Sequence, residues 1–225
     1  MSISRKFQRS KSKYTLSQKI ISAVTAAGFI MQPIVGFAGQ IIKQNDLNNN
    51  LIKNGVADIW ADKVVDKTAI NVFNKFNLSA NEIANMYFGL KGTEHNSANL
   101  VNFVNDRIDI NGTVNAVQNS QIGGNLFFLS KEGMAVGKSG VINTGSLYVM
   151  TPATGIDINS QEYNYTYEGL QGTFDSGSEE NINTALNRMQ ALNIPLNAEG
   201  TISVLGKVNA TGDVKMAAAK NRIGK

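Results

Sequence analysis

Between residues 123 and 150 the chain writes apolar residues in bursts of two to four and then breaks off. The stretch GGNLFFLSKEGMAVGKSGVINTGSL carries such bursts at 126–129, 134–136, 141–142 and 147–149. Small polar breaks holding Gly133, Gly137, Gly140 and Gly145 divide them. The bursts recur every six to eight residues or so, which puts three short strands in about twenty residues. A second stretch, TISVLGKVNATGDVKM, repeats the spacing with Ile202 and Val204, Val208 and Ala210, then Val214 and Met216. That period predicts the three-sided coil of a parallel β-helix, in which each coil buries its apolar face only by stacking on its neighbours. Each side of such a coil is a few residues wide, so the strands must be short. Each corner bends the backbone sharply, which suits Gly and Asn.

The same frame decides an ambiguity at IDINGTVNA. Ile108 and Ile110 alternate with Asp109, and Val114 and Ala116 alternate with Asn115, around Asn111–Gly112. Taken alone, that is a hairpin signal. Among stacked coils it reads as a corner between two sides. The predicted inward residues are Ile108, Ile110, Val114, Leu126, Phe128, Met134, Val136, Val141, Leu147, Val149, Ile202, Val204, Val208, Val214 and Met216.

One segment changes period. In FDSGSEENINTALNRMQALNIP, Ile182, Ala185, Leu186, Met189 and Leu192 recur at helical spacing. Ser178 is placed to cap the start, Glu179 and Glu180 favour the first turn, and Pro195 ends the run. The expectation is one short amphipathic helix against the solenoid, between polar loops at 155–178 and 193–200. Residues before about 68 are the expected N-terminal cap of the solenoid. The C-terminal VKMAAAKNRIGK stops in mid-pattern, and further coils are the expected continuation; a terminal Ala-rich helix is the alternative.

Charge alters the picture once it is divided along the chain. The whole 225-residue sequence carries +4, but residues 1–38 hold six cations (Arg5, Lys6, Arg9, Lys11, Lys13, Lys19) and no acid, leaving −2 for residues 39–225. A nucleic-acid partner is therefore not expected, since phosphate binding needs cations clustered on the folded part. The basic stretch precedes the apolar run IISAVTAAGFIMQPIVGFA, the pattern of an export signal over residues 1–38. Gly36 and Ala38 stand at minus three and minus one of a cut between Ala38 and Gly39. A membrane anchor is the alternative, though Pro33 and Gly36 interrupt the run.

Candidate chemistry is thin. There is no cysteine, and His95 is the single histidine, in the polar stretch KGTEHNSAN, where a solvated loop residue is expected. The acidic pairs Asp106/Asp109, Glu162/Glu168 and Glu179/Glu180 have no spacing that gathers two carboxyls in one cleft, and only Arg107 lies beside Asp106. Gly123–Gly124 precedes a strand rather than a helix, against a phosphate loop. No catalytic, cofactor or metal residue is expected.

Three stretches carry a family likeness. AINVFNKFNLS, with Asn71, Phe73 and Phe76, resembles an Asn-x-Phe-x-x-Phe-x-Val segment; IDINGTVNA, with Asn111 and Gly112, resembles an Asn-Gly turn ahead of a strand; GGNLFFLSKEGMAVGKSGVINTGSLYVMTP resembles a strand–turn–strand region closed by Thr-Pro. Together they make residues 57–225 or so similar to the N-terminal two-partner-secretion domain of filamentous haemagglutinins, in particular of leukotoxin-type filamentous adhesins. Many members have Asn-Pro-Asn-Gly where this chain has Ser130-Lys131-Glu132-Gly133, so only Gly133 carries over. The resemblance implies an all-β, right-handed parallel β-helix domain over 39–225 and a monomeric, non-enzymatic, cofactor-free secretion role. The implied partner is a dedicated outer-membrane β-barrel transporter, whose periplasmic domains recognise the chain through Asn71, Phe73, Phe76, Asn111, Gly112 and Gly133; host-cell surface ligands are a further class. The destination is the cell surface or the medium. The competing reading is a carbohydrate-active β-helix enzyme or a tailspike-like glycan binder.

Overall fold

The computed structural model describes residues 38–224. The reading of an export signal therefore falls, apart from Ala38, outside the described residues. The chain begins with β1 (Gln40–Lys43), β2 (Val56–Ile59), β3 (Lys63–Val65), the long β4 (Thr68–Leu78) and β5 (Ile83–Tyr87). It continues with β6 (Asn99–Val104), β7 (Ile108–Ile110), β8 (Thr113–Gln118) and the two-residue β9 (Gln121–Ile122). Then come β10 (Asn125–Ser130), β11 (Gly133–Val136), β12 (Val141–Thr144) and β13 (Ser146–Met150). Two helices follow, α1 (Tyr167–Ser176) and α2 (Glu179–Gln190), and then β14 (Thr201–Val204), β15 (Lys207–Ala210), β16 (Val214–Ala217) and β17 (Lys220–Ile223).

Apart from β1, β3 and β9, which pair antiparallel, these strands stack in parallel on three faces of a solenoid. The first face orders the N-terminal half of β4, then β6, β10, β13 and β16. The second orders the C-terminal end of β4, then β7, β11, β14 and β17. The third orders β2, β5, β8, β12 and β15. One coil thus reads β6, β7, β8 and the next β10, β11, β12, as the spacing predicts. Asn111–Gly112 is a corner between β7 and β8, which pair with the coils before and after and not with each other. At that corner Asn111 N donates to Leu78 O at 2.8 Å and Val141 N donates to Gly112 O at 2.9 Å, so corners bond coil to coil as the strands do.

The interior is one column of stacked side chains. Phe76, Ile108, Met134 and Ile202 lie in register on the second face, and all are buried. Two predicted inward residues differ. Val141 is only half-buried, and its neighbour Ile142 points in, because Ile142 is the residue in register with Val114. Val214 shares a register with buried Leu147 but is 48% exposed, since among the described residues no strand lies beyond β16 on that face. On the outside of the third face a ladder of side-chain amides runs from Asn209 to Asn143, Asn115, Asn85 and finally Asp58, each step a hydrogen bond of 2.7–3.0 Å. Stacked amides bond to each other only when coils sit in register, so the ladder pins it.

The segment after β13 corrects the expectation of one helix. There are two, and α1 lies in a stretch expected to be a polar loop. Thr166 caps α1 by accepting from Gly169 N, and Ser178 caps α2 by accepting from Asn181 N, the latter as predicted. Helix α2 ends at Gln190, well before Pro195. Leu192, at φ 56°, reverses the chain, with Asn193 N bonded to Arg188 O and Leu192 N to Met189 O, a Schellman closure that usually uses glycine. The helices lie over the outward side of the first face. Tyr167, Leu170, Phe174, Leu186 and Met189 pack there against Val101, Phe103, Phe127, Leu129, Tyr148 and Met150. The first face is thus buried on both sides, which is why β10 reads as the unbroken apolar run LFFL.

The segment expected to be an N-terminal cap divides in two: β2 stacks in parallel on the third face, because it pairs with β5 as the later coils pair with each other, while β1 and β3 run antiparallel to β4, β1 along Phe73–Asn77 and β3 as a hairpin joined at Val65–Thr68.

Candidate recognition site around the fourth strand

The eleven residues of β4 serve two faces at once. Ala69 and Phe73 point inward on the first face, and Phe76 and Leu78 on the second, so the inward parity changes across Asn74–Lys75. The strand turns its corner there without breaking. β1 follows the bend, its register slipping between Ile42 and Lys43 so that Asn74 is left as the extra residue of a bulge. Phe73 and Phe76 meet edge to face at 5.2 Å beneath the corner, and Phe76 meets Phe128 at 5.3 Å.

Asn71 joins a buried polar latch. Its side-chain amide donates to Asn102 Oδ1 at 2.9 Å, and the Asn102 amide donates to Phe127 O at 2.9 Å. Asn71 Oδ1 accepts from Asp62 N at 3.2 Å and from Lys43 Nζ. Lys43, 7% exposed, also pairs with Asp62 Oδ1 at 3.0 Å, donates to Trp60 O at 3.3 Å and rests over the Phe73 ring. The latch ties β1 and the loop before β3 to the first two coils. Burial pulls the Lys43 ammonium below its ordinary range, and Asp62 offsets part of that.

A lysine whose folded pKa is depressed binds fewer protons folded than unfolded, so its penalty is full at lower pH and is relieved as pH rises toward its unfolded value, roughly 10.4. Native protein is expected to gain stability relative to Lys43→Met as pH rises from the depressed folded pKa to that unfolded value, and to gain nothing further above it. Denaturant titrations of both chains at stepped pH measure the difference. Burial pushes the Tyr167 phenol upward and acts in the opposite sense at high pH, but it is common to both chains and cancels.

The residues singled out from sequence fall into two groups and one outlier. Asn71, Phe73 and Phe76 are fully buried in the latch and the corner. Gly39, Asn111 and Gly112 gather around the turn Ser79–Glu82 that follows β4, with exposed Ala38 at its edge. There Glu82 is the organiser. Its Oε2 accepts from Ser79 N at 2.7 Å and its Oε1 from Gly39 N at 3.1 Å, while its backbone carbonyl accepts from Thr113 N at 2.8 Å. A Cβ on Gly112 would strike the Glu82 and Ser79 carbonyl oxygens, so the next corner nests on this turn only as glycine. Gly133 stands apart, on the corner between β10 and β11. Ser130 shapes that corner, its hydroxyl accepting from Gly133 N at 2.9 Å and donating to Asp106 O at 2.9 Å.

Sequence reasoning missed Lys43, Asp62 and Glu82. Glu82 had a signal, since Ser79-Ala80-Asn81-Glu82 has the Ser-x-x-Glu form of a capping box. Here it closes a turn with Asn81 at φ 69° and no helix follows. Lys43 and Asp62 meet across 19 residues, and nothing local marks them. His95 is not the solvated loop residue expected. Its ring packs on Tyr87 at 5.0 Å, Tyr87 stacks on Trp60 at 5.2 Å, and Lys91 Nζ lies over the Trp60 ring at 5.1 Å. Arg107 pairs with Asp109 at 3.2 Å on an open surface. Among the described residues no three His, Cys, Asp or Glu side chains gather to hold a metal ion. Comparison with protein-family models, with curated proteins and with solved structures finds no match to this chain.

Proposed function

We propose that this chain is the N-terminal secretion module of a surface-exposed or released filamentous adhesin or leukotoxin, and that its solenoid is a right-handed parallel β-helix. A dedicated outer-membrane β-barrel transporter recognises it before it folds, and the folded module then seeds the coils of the polypeptide behind it. The observation that carries this reading is the position of Asn71, Phe73 and Phe76. The segment that bears the family likeness is the one strand shared by two faces and the cap, and all three side chains are buried once it is in place. A transporter domain that reads them must meet them in the unfolded chain, and folding then withdraws them from it. That makes release outward a consequence of folding. Coil stacking is near-additive between neighbours, so a capped first segment is a nucleus from which coils propagate. The edges of β15, β16 and β17 are unpaired on one side among the described residues, which is where a further coil would add.

The test is co-expression with a barrel transporter of the two-partner type, whose gene is expected to lie beside this one. The expected result is transporter-dependent appearance of the chain in the medium, and capture by the transporter's periplasmic domains of urea-unfolded chain but not of folded chain. Deleting residues 69–78 is expected to abolish both. Secretion of that deletant at the native level would overturn the proposal.

A further inference from the structure

We infer that Glu82 is the receptor for a new N-terminus, the α-ammonium that hydrolysis of the Ala38–Gly39 peptide bond creates. The inference rests on the export reading of residues 1–38 but not on the transporter. A signal peptidase adds water across that amide, leaving a carboxylate on Ala38 and an ammonium on Gly39. The structure places the Gly39 nitrogen 3.1 Å from Glu82 Oε1. The other oxygen of the same carboxylate is held by Ser79 N, which aims the group.

The surroundings are built for this residue. Ala38 is exposed and Gly39 is buried, so the boundary between accessible and packed chain falls at the bond itself. Asn50 holds Gly39 from its other side, its amide donating to Gly39 O at 2.9 Å and its Oδ1 accepting from Ile41 N at 3.0 Å. A Cβ at position 39 would collide with Glu82 Oε2 and lie 2.7 Å from Asn77 O, so no residue larger than glycine brings its nitrogen this close. The charged groups facing the site are Glu82 and Asp109 of β7, and Asp109 is engaged by Arg107. While the leader is attached, Glu82 receives one neutral N–H. After the cut the same carboxylate faces a full positive charge with spare donors, so a hydrogen bond charged on one side becomes an ion pair charged on both. Processing therefore tightens the closure of the first coil, and the leader's removal becomes a step in completing the cap.

The experiment compares two chains released in vitro by a site-specific protease, one starting at Gly39 and one keeping residues 35–38. At pH 6.5 the chain starting at Gly39 is expected to melt about 2–4 °C higher. The carboxylate raises the folded pKa of the amine above its unfolded value of about 7.7–8.0, so the gain is full below that value and lost as pH rises through the folded pKa. By pH 10.5 the two chains are expected to converge. In the Glu82→Gln background the difference is expected to vanish at every pH. Equal midpoints for the two lengths at pH 6.5, or a gain that persists in Glu82→Gln, would overturn the assignment. Mass spectrometry of chain recovered from the periplasm is expected to begin at Gly39, and any other terminus also overturns it. A chain cut at Gly39 that never reaches the medium sinks the transporter reading and leaves this one standing.

Discussion

Gly133→Ala is expected to cost about 3 kcal/mol or more, a loss that strained and over-packed positions reach and ordinary surface changes do not. Gly133 has φ 120°, a conformation that L side chains resist. An added Cβ would also run into the carbonyl oxygen of Thr201, the first residue of β14 in the next coil. Neither problem has a local remedy. Relaxing φ would swing β11 out of register with β7 and β14, and moving Thr201 would open the β11–β14 ladder that it begins. The clash is with backbone, so no rotamer change relieves it. Urea unfolding followed by far-ultraviolet circular dichroism measures the loss. A variant within about 0.5 kcal/mol of native, the range of neutral surface substitutions, would contradict the geometry at this corner.

Phe76→Ala is expected to cost about 3–5 kcal/mol, the range for deleting a buried aromatic ring. The ring fills the bend where the two faces of β4 meet and touches Phe73 and Phe128 edge to face. The surrounding strands are fixed by ladders on both sides, so the space left behind collapses little. Phe73 is the companion case, but its ring also carries the Lys43 ammonium, and removing it disturbs the polar latch as well. Phe76 is therefore the cleaner probe of packing alone. The same position separates stability from recognition. Phe76→Leu keeps most of the buried volume, so if the transporter reads the aromatic ring, this variant folds when refolded alone yet fails to be exported. Refolding yield and the amount secreted, measured side by side, distinguish the two roles.

The closure of the N-terminal end and the proposed transporter recognition thus converge on one strand. Its outer partners, β1 and the loop before β3, contribute the charged members of the latch, and the turn that follows it contributes Glu82. A change that loosens β4 is expected to weaken every later coil, because each gains its apolar contacts from the one before.

Much of this architecture was legible in the residues. The short bursts with Gly and Asn between them specify narrow faces and tight corners, and the alternation around Asp109 and Asn115 marks which side chains point in. Those signals are local, and the physics behind them is local too: strand parity, φ preference and helix capping at Ser178 act within a few residues. Tertiary structure decided the rest. Val141 and Ile142 are adjacent and both apolar, so only pairing with β8 selects the inward one. Helix α1 is weakly marked because three buried anchors, Tyr167, Leu170 and Phe174, suffice to dock it. What they dock on is the outward side of the first face, and the unbroken apolar run of β10 is its local trace, though that run does not say what covers it. The Lys43–Asp62 pair of the latch and the Gly39–Glu82 contact join residues 19 and 43 apart, so neither has a sequence period. The chain alone determined how each coil is wound, because winding depends on neighbours along the backbone. Which outer surface is covered, and which charges meet at the cap, were decided by packing, because those contacts exist only between segments that the fold brings together.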